Sequence, residues 1–129
     1  MSTTEVDASV QEMFEGIFGP GLGQQLSKRL HGEAPWFNEV VAKHIAPLVW
    51  QRSALDMRTK VLCAIAIFSA LGKHEAGLFM RAALHHGVSQ EEIHDLLFLV
   101  GLESGFPNAS FGAKLLAEAV ASHSADGAD

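Results

Sequence analysis

Apolar residues recur along the chain at the three-and-four spacing of helices, punctuated by glycine and proline. A first helix is expected from about Ala8 to Phe18, stopping at Gly19-Pro20-Gly21. A short second one near Leu22–Leu30 ends at His31-Gly32. Pro35 opens a third, in which Phe37, Val40, Val41, His44 and Leu48 fall on one stripe. Pro47 interrupts that stripe and removes a hydrogen bond to the Lys43 carbonyl, which predicts a kink or an early end. Ser53 and Asp56 have the spacing of a capping box ahead of a central helix that ends at Gly72. From Val61 to Leu71 that helix is apolar nearly all round, so it must be covered on several sides. In so small a chain the cover is expected to include a neighbouring subunit.

A fifth helix is expected from about His74 to His86, closed by Gly87 at its C′ position. Ser89 and Glu92 make a second capping box before Ile93, Leu96, Leu97 and Val100. Gly105-Phe106-Pro107 breaks the chain, and a last helix covers about Ala109–Ala121, with Phe111, Leu115 and Ala119 on one side. No segment alternates with period two for long enough to be a strand. The pattern predicts one all-α domain of six or seven helices, frayed at about residues 1–7 and 122–129.

Composition changes this picture in three places. Nine basic residues are scattered among fifteen acidic ones, for a net charge of −6. A nucleic-acid surface needs clustered cations, so no nucleic-acid partner is expected, and the same holds for an anionic membrane. The longest apolar helix rises about 16 Å, half of what crossing a bilayer takes. Residues 1–7 are polar and acidic, without the basic and apolar regions of a signal peptide. A single cysteine, Cys63, cannot form an internal disulfide, and a cytoplasmic location is the simplest expectation.

Four segments carry a resemblance. They are WQRSALDMRT at Trp50–Thr59, AIFSALG at Ala66–Gly72, MRAALHHGVSQEEI at Met80–Ile93 and GFPNA at Gly105–Ala109. Together they resemble the carboxymuconolactone decarboxylase family, which includes the alkylhydroperoxidase-D-like proteins. The resemblance implies an all-α subunit in a ring-like homo-oligomer, commonly a trimer or hexamer. It also implies a split by site residues. Where the peroxidase branch has its Cys-x-x-Cys, this chain has Lys73 and Ala76. Val61 stands where that branch has a Glu, and Phe79 or Met80 where it has a His. Thiol peroxidase chemistry needs those groups and is not expected. The decarboxylase branch lacks the cysteines but usually has the His, and a Glu at about Leu48.

A cofactor-independent lyase acting on a small carboxylated lactone or keto acid is therefore the leading reading. Such a reaction needs a desolvated carboxylate, a donor to the dienolate and a proton for carbon, with no metal and no cofactor. His44 on the apolar stripe and His86 near the family's relay position are the candidate acids or bases. Arg52 and Arg58 could grip a carboxylate bidentately, with Glu75 and His85 also in the substrate-binding set. Each has a plain structural alternative: a satisfied core histidine at His44, an ion pair of Arg58 with Asp56, and helix-dipole placement at Glu75, His85 and His86. No histidine spacing suggests a metal site. Trp36, Trp50 and Phe106 are expected in the core or an interface. The competing reading is a non-catalytic oligomeric binding or scaffold protein, whose cleft Phe79, Met80 and Leu48 would fill.

Overall fold

The computed structural model describes residues 8–126, and among them every regular element is helical. Seven α-helices appear: α1 (Ala8–Phe18), α2 (Pro20–Glu33), α3 (Pro35–Val40), α4 (Met57–Ala70), α5 (Glu75–His85), α6 (Gln90–Ser104) and α7 (Phe106–Ala125). A π-helical segment, Val41–Trp50, continues α3. No helix among the described residues is long and apolar enough to cross a membrane. Packing divides the chain into two compact units at Met57/Arg58.

In the first unit α1 and α2 form a tight hairpin. Val10, Met13, Ile17 and Phe18 bury one face of α1. Gly23 is where α2 meets it, for a Cβ there would lie 2.5 Å from the Glu15 Cα. Asn38 of α3 is buried, and its Nδ2 lies 2.8 Å from His31 Nδ1.

Pro47 does not end the helix. The chain runs on to Trp50 in the wider i→i+5 form, closing with Gln51 N–H donating to the Ala46 carbonyl at 2.8 Å. The wider turn changes which residues share a face. Val41 and Ala46, five apart, are buried, with Ile45 and Trp50 half-buried between and beyond them. His44, expected on the inward stripe, is exposed, as are Val40 and Leu48. His44 and Leu48 leave the expected stripe because the period from Val41 on is not α-helical.

In the second unit α7 is the common partner, packing on both α5 and α6. It starts at Phe106 rather than Ala109, since Pro107 sits in its first turn, where a missing N–H costs nothing. It also runs on through residues 122–125, expected to fray; residues 1–7 lie outside the described ones. Its buried side is Gly112, Leu115, Leu116 and Ala119. On α4 only Val61, Ile65 and Ser69 are buried, four apart, while Ile67 and Leu71 stand in solvent. That helix starts at Met57, so Asp56, not Ser53, stands immediately before it.

Turn chemistry fixes the ends of these helices. At the end of α5, Val88 N–H donates to the Ala83 carbonyl at 2.9 Å and Gly87 N–H to the Leu84 carbonyl at 3.1 Å, a Schellman closure with Gly87 at φ 82°. α4 closes in the same way, through Lys73 N–H to Phe68 and Gly72 N–H to Ser69. The second capping box forms in full: Glu92 N–H donates to Ser89 Oγ, and Ser89 N–H to Glu92 Oε2.

Two stability predictions follow from the packing. The buried Ser69 hydroxyl has no hydrogen-bond partner, so Ser69→Ala should stabilise the protein by about 1 kcal/mol. A lower melting temperature would contradict that. Gly23→Ala should destabilise by about 1–3 kcal/mol, because the obstructing atoms are backbone; urea unfolding with unchanged midpoint would show the α1–α2 contact to be looser than described.

Candidate functional site

Helices α5 and α7 run parallel: His74 meets Phe111 edge-on, and Arg81 pairs with Asp126 at the other end. Their C-termini, which carry the negative ends of the two helix dipoles, therefore lie together. The last turns there carry His85 and His123, with His86 as the cap of α5. The His85 and His86 rings are 5.0 Å apart, edge to face. Partial burial pushes the His85 pKa down from the ordinary imidazole value, and positive charge on His86 and His123 would push it the same way. His85 thus stays neutral where an unperturbed imidazole begins to charge.

The N-terminus of α6 adds an ion pair to the same end of the unit. Arg58, at the start of α4, donates to Glu92 Oε1 while the other oxygen of that carboxylate caps α6. The Ser89 N–H first, and the Arg58 guanidinium next, hold the Glu92 carboxyl below the usual carboxylate range. The expected pairing of Arg58 with Asp56 is replaced by this contact, 34 residues along the chain.

The arrangement assembles only part of the residue set chosen from sequence. His85 and His86 come together, joined by His123, which sequence reasoning had placed in a frayed tail. Glu75 lies at the opposite end of α5, about 15 Å away along the helix axis, too far to act on the same small molecule. His44 and Arg52 belong to the first unit, and both are exposed. Among the described residues no three of His, Cys, Asp and Glu are placed to hold a metal ion.

Grooves open on unit 2 on either side of α6. One of about 380 Å³ lies between α4 and α6, and one of about 300 Å³ between α6 and α7. None of the six candidate residues lines either. Where the resembling family has its polar groups, Val61 and Met80 are fully buried and Phe79 stacks on Phe68, ring centroids 5.6 Å apart. Leu48, the third expected cleft-filler, is exposed instead. Trp36 and Phe106 also stand in solvent, while Trp50 is half-buried.

The helical content, turn motifs and spacing agree with comparisons to known proteins. Residues 35–118 match the Carboxymuconolactone decarboxylase family. A 4-carboxymuconolactone decarboxylase of Acinetobacter baylyi is 33% identical over 85 residues, covering 65% of this chain and 63% of the relative. No solved structure matches significantly. The family match takes in well over half of the sequence, including α4, α5, α6 and most of α7, and on that ground the chain belongs to the carboxymuconolactone decarboxylase family.

Proposed function

We propose that this protein is a cofactor-independent lyase that decarboxylates a small carboxylated lactone or keto acid. The observation that carries the reading is the 33% identity to a protein named for such a reaction. The paired imidazoles of His85 and His86 supply groups able to handle the proton. In the reaction the bond to the carboxylate carbon breaks, carbon dioxide leaves, and its electron pair passes into a dienolate. An imidazolium then protonates carbon. His86 takes that role in this reading, because His85 is biased toward its neutral form. Arg58, which exchanges Glu92 for the substrate, holds the carboxylate.

One observation favours a second reading, a non-catalytic binding protein of the same family. The positions that carry the family's relay are apolar, and Val61 and Met80 are sealed in the core.

Turnover of 4-carboxymuconolactone and of simple β-keto acids, followed by carbon dioxide release, separates the two. The lyase reading expects measurable decarboxylation that falls about 10²-fold or more in His86→Ala with the helical spectrum intact. No release from any of these substrates, together with no melting shift at ligand concentrations that would add about 2–3 kcal/mol at a hundred times Kd, favours the binding-protein reading.

His85 also sets a pH dependence of stability. His85 has a folded pKa below its unfolded value of 6.5, so the unfolded chain binds more protons as pH falls through that value. The contribution is complete above it and lost below. His85→Gln should flatten the fall in melting temperature between about pH 7 and pH 5; an unchanged slope would assign the fall to other groups.

A further inference from the structure

Each oxygen of the Glu92 carboxylate has its own partner. Oε2 accepts the Ser89 N–H at 2.8 Å, and the Glu92 N–H donates back to Ser89 Oγ at 3.1 Å. Oε1 accepts from the Arg58 guanidinium. The engagement with Ser89 is local, three residues along the chain, and is fixed by the start of α6. The engagement with Arg58 joins two half-exposed side chains. Such an ion pair opens at little cost, because water and salt replace much of what each partner gives the other. Exchange therefore moves Arg58 and leaves Glu92 at its cap.

That asymmetry bears on every carboxylate that Arg58 is to hold. A guanidinium binds a carboxylate best through two parallel N–H donors. Glu92 presents Arg58 with one oxygen, since the other is committed to the cap. A free carboxylate offers both and forms the better-matched pair, but only after Arg58 has let go of Glu92. The released Glu92 stays beside the guanidinium, charged and tethered, so it competes at a high effective concentration.

We propose that Glu92 is a tethered competitor for the ligand's carboxylate, a specificity-determining residue that keeps Arg58 occupied until a two-oxygen anion displaces it. The ligands admitted are those whose carboxylate presents both oxygens in one plane. A halide ion, an ester or an amide has no such fork and leaves the Arg58–Glu92 pair closed. This role for Glu92 rests on the reading of Arg58 as the carboxylate grip, and it does not require turnover.

Benzoate, which has no adjacent keto or lactone group to take up an electron pair, tests binding apart from turnover. Titration of the full-length protein followed by NMR gives two readouts. In the free wild type the Ser89 N–H first, and Arg58 next, hold the Glu92 carboxyl below the usual carboxylate range. Saturation with benzoate should raise it toward that range, because Arg58 leaves and a second negative charge arrives. Glu92→Gln keeps the capping box, which accepts Gln at that position, and removes the competing charge. It should bind benzoate at least about threefold more tightly than the wild type, the order of what an exposed ion pair is worth. Arg58→Gln should bind it at least about tenfold more weakly, having lost the fork. A Glu92 carboxyl that titrates alike with and without benzoate overturns the proposal, and so does equal or weaker binding by Glu92→Gln. Binding that survives Arg58→Gln overturns it too, as does no binding by any of the three proteins. Should Glu92→Gln fail to fold, the titration of Glu92 in the wild type decides the matter alone. Decarboxylation without these binding changes keeps the lyase reading and removes the competitor; the changes without decarboxylation do the reverse.

Discussion

The second unit depends on how closely α5 and α6 approach α7. Where they meet, the residues are small enough for the backbones to come together. A Cβ on Gly112 would lie 2.5 Å from the Leu97 Cδ2, and one on Gly77 would just touch Leu115. The faces the three helices turn inward, Ala76, Met80 and Ala83 on α5, Ile93 and Leu97 on α6, Leu115 and Leu116 on α7, are buried. With α7 occupied by both partners, little of α6 is left facing inward. Its remaining apolar residues have nowhere to go but outward.

Helix ends, more than helix faces, set the chemistry of this unit. The Schellman closure at Gly87 and the capping box at Ser89 turn the chain through a few residues between α5 and α6. That short turn puts two imidazoles of one helix near the capped carboxylate of the next. Because α5 and α7 are parallel, their dipoles add at the same end and favour positive charge there. Partial burial first, and the crowding of three imidazoles next, oppose it and hold the His85 pKa below the ordinary imidazole value. The result is a pole of the four-helix unit where imidazoles and ion pairs gather, the pairs drawn from the first turn of α4 and the C-terminal end of α7.

Much of this was legible in the sequence, and the failures have distinct physical causes. The bounds of α1, the Gly87 closure and the Ser89–Glu92 box are local, written in consecutive residues, and they were readable. So was the inward set Ile93, Leu97 and Val100. Pro107 misled because proline was taken as a break, whereas in a first turn it belongs. That shortened α7 at its start, while reading residues 122–129 as a frayed tail shortened its end and hid His123. The partner of Arg58 could not be read at all, because the choice between Asp56 and Glu92 is made by tertiary packing across 34 positions. His44 was placed on the wrong face by assuming an α-helical period where the chain, from Val41 on, is π-helical. The candidate site suffered most, since it is built from long-range meetings, while helices are built from neighbours.

The π-helical stretch has a consequence for how this chain relates to others that share its family. With five residues spanning the step that four would take, Val41–Trp50 behaves as an α-helix carrying an extra residue. Every side chain after the widened turn is rotated relative to a regular helix of the same composition. Two sequences can then agree letter for letter across this segment and still present different residues to the same neighbour. Against a relative whose helix is regular there, equivalence would have to be judged by direction in space rather than by rank along the chain.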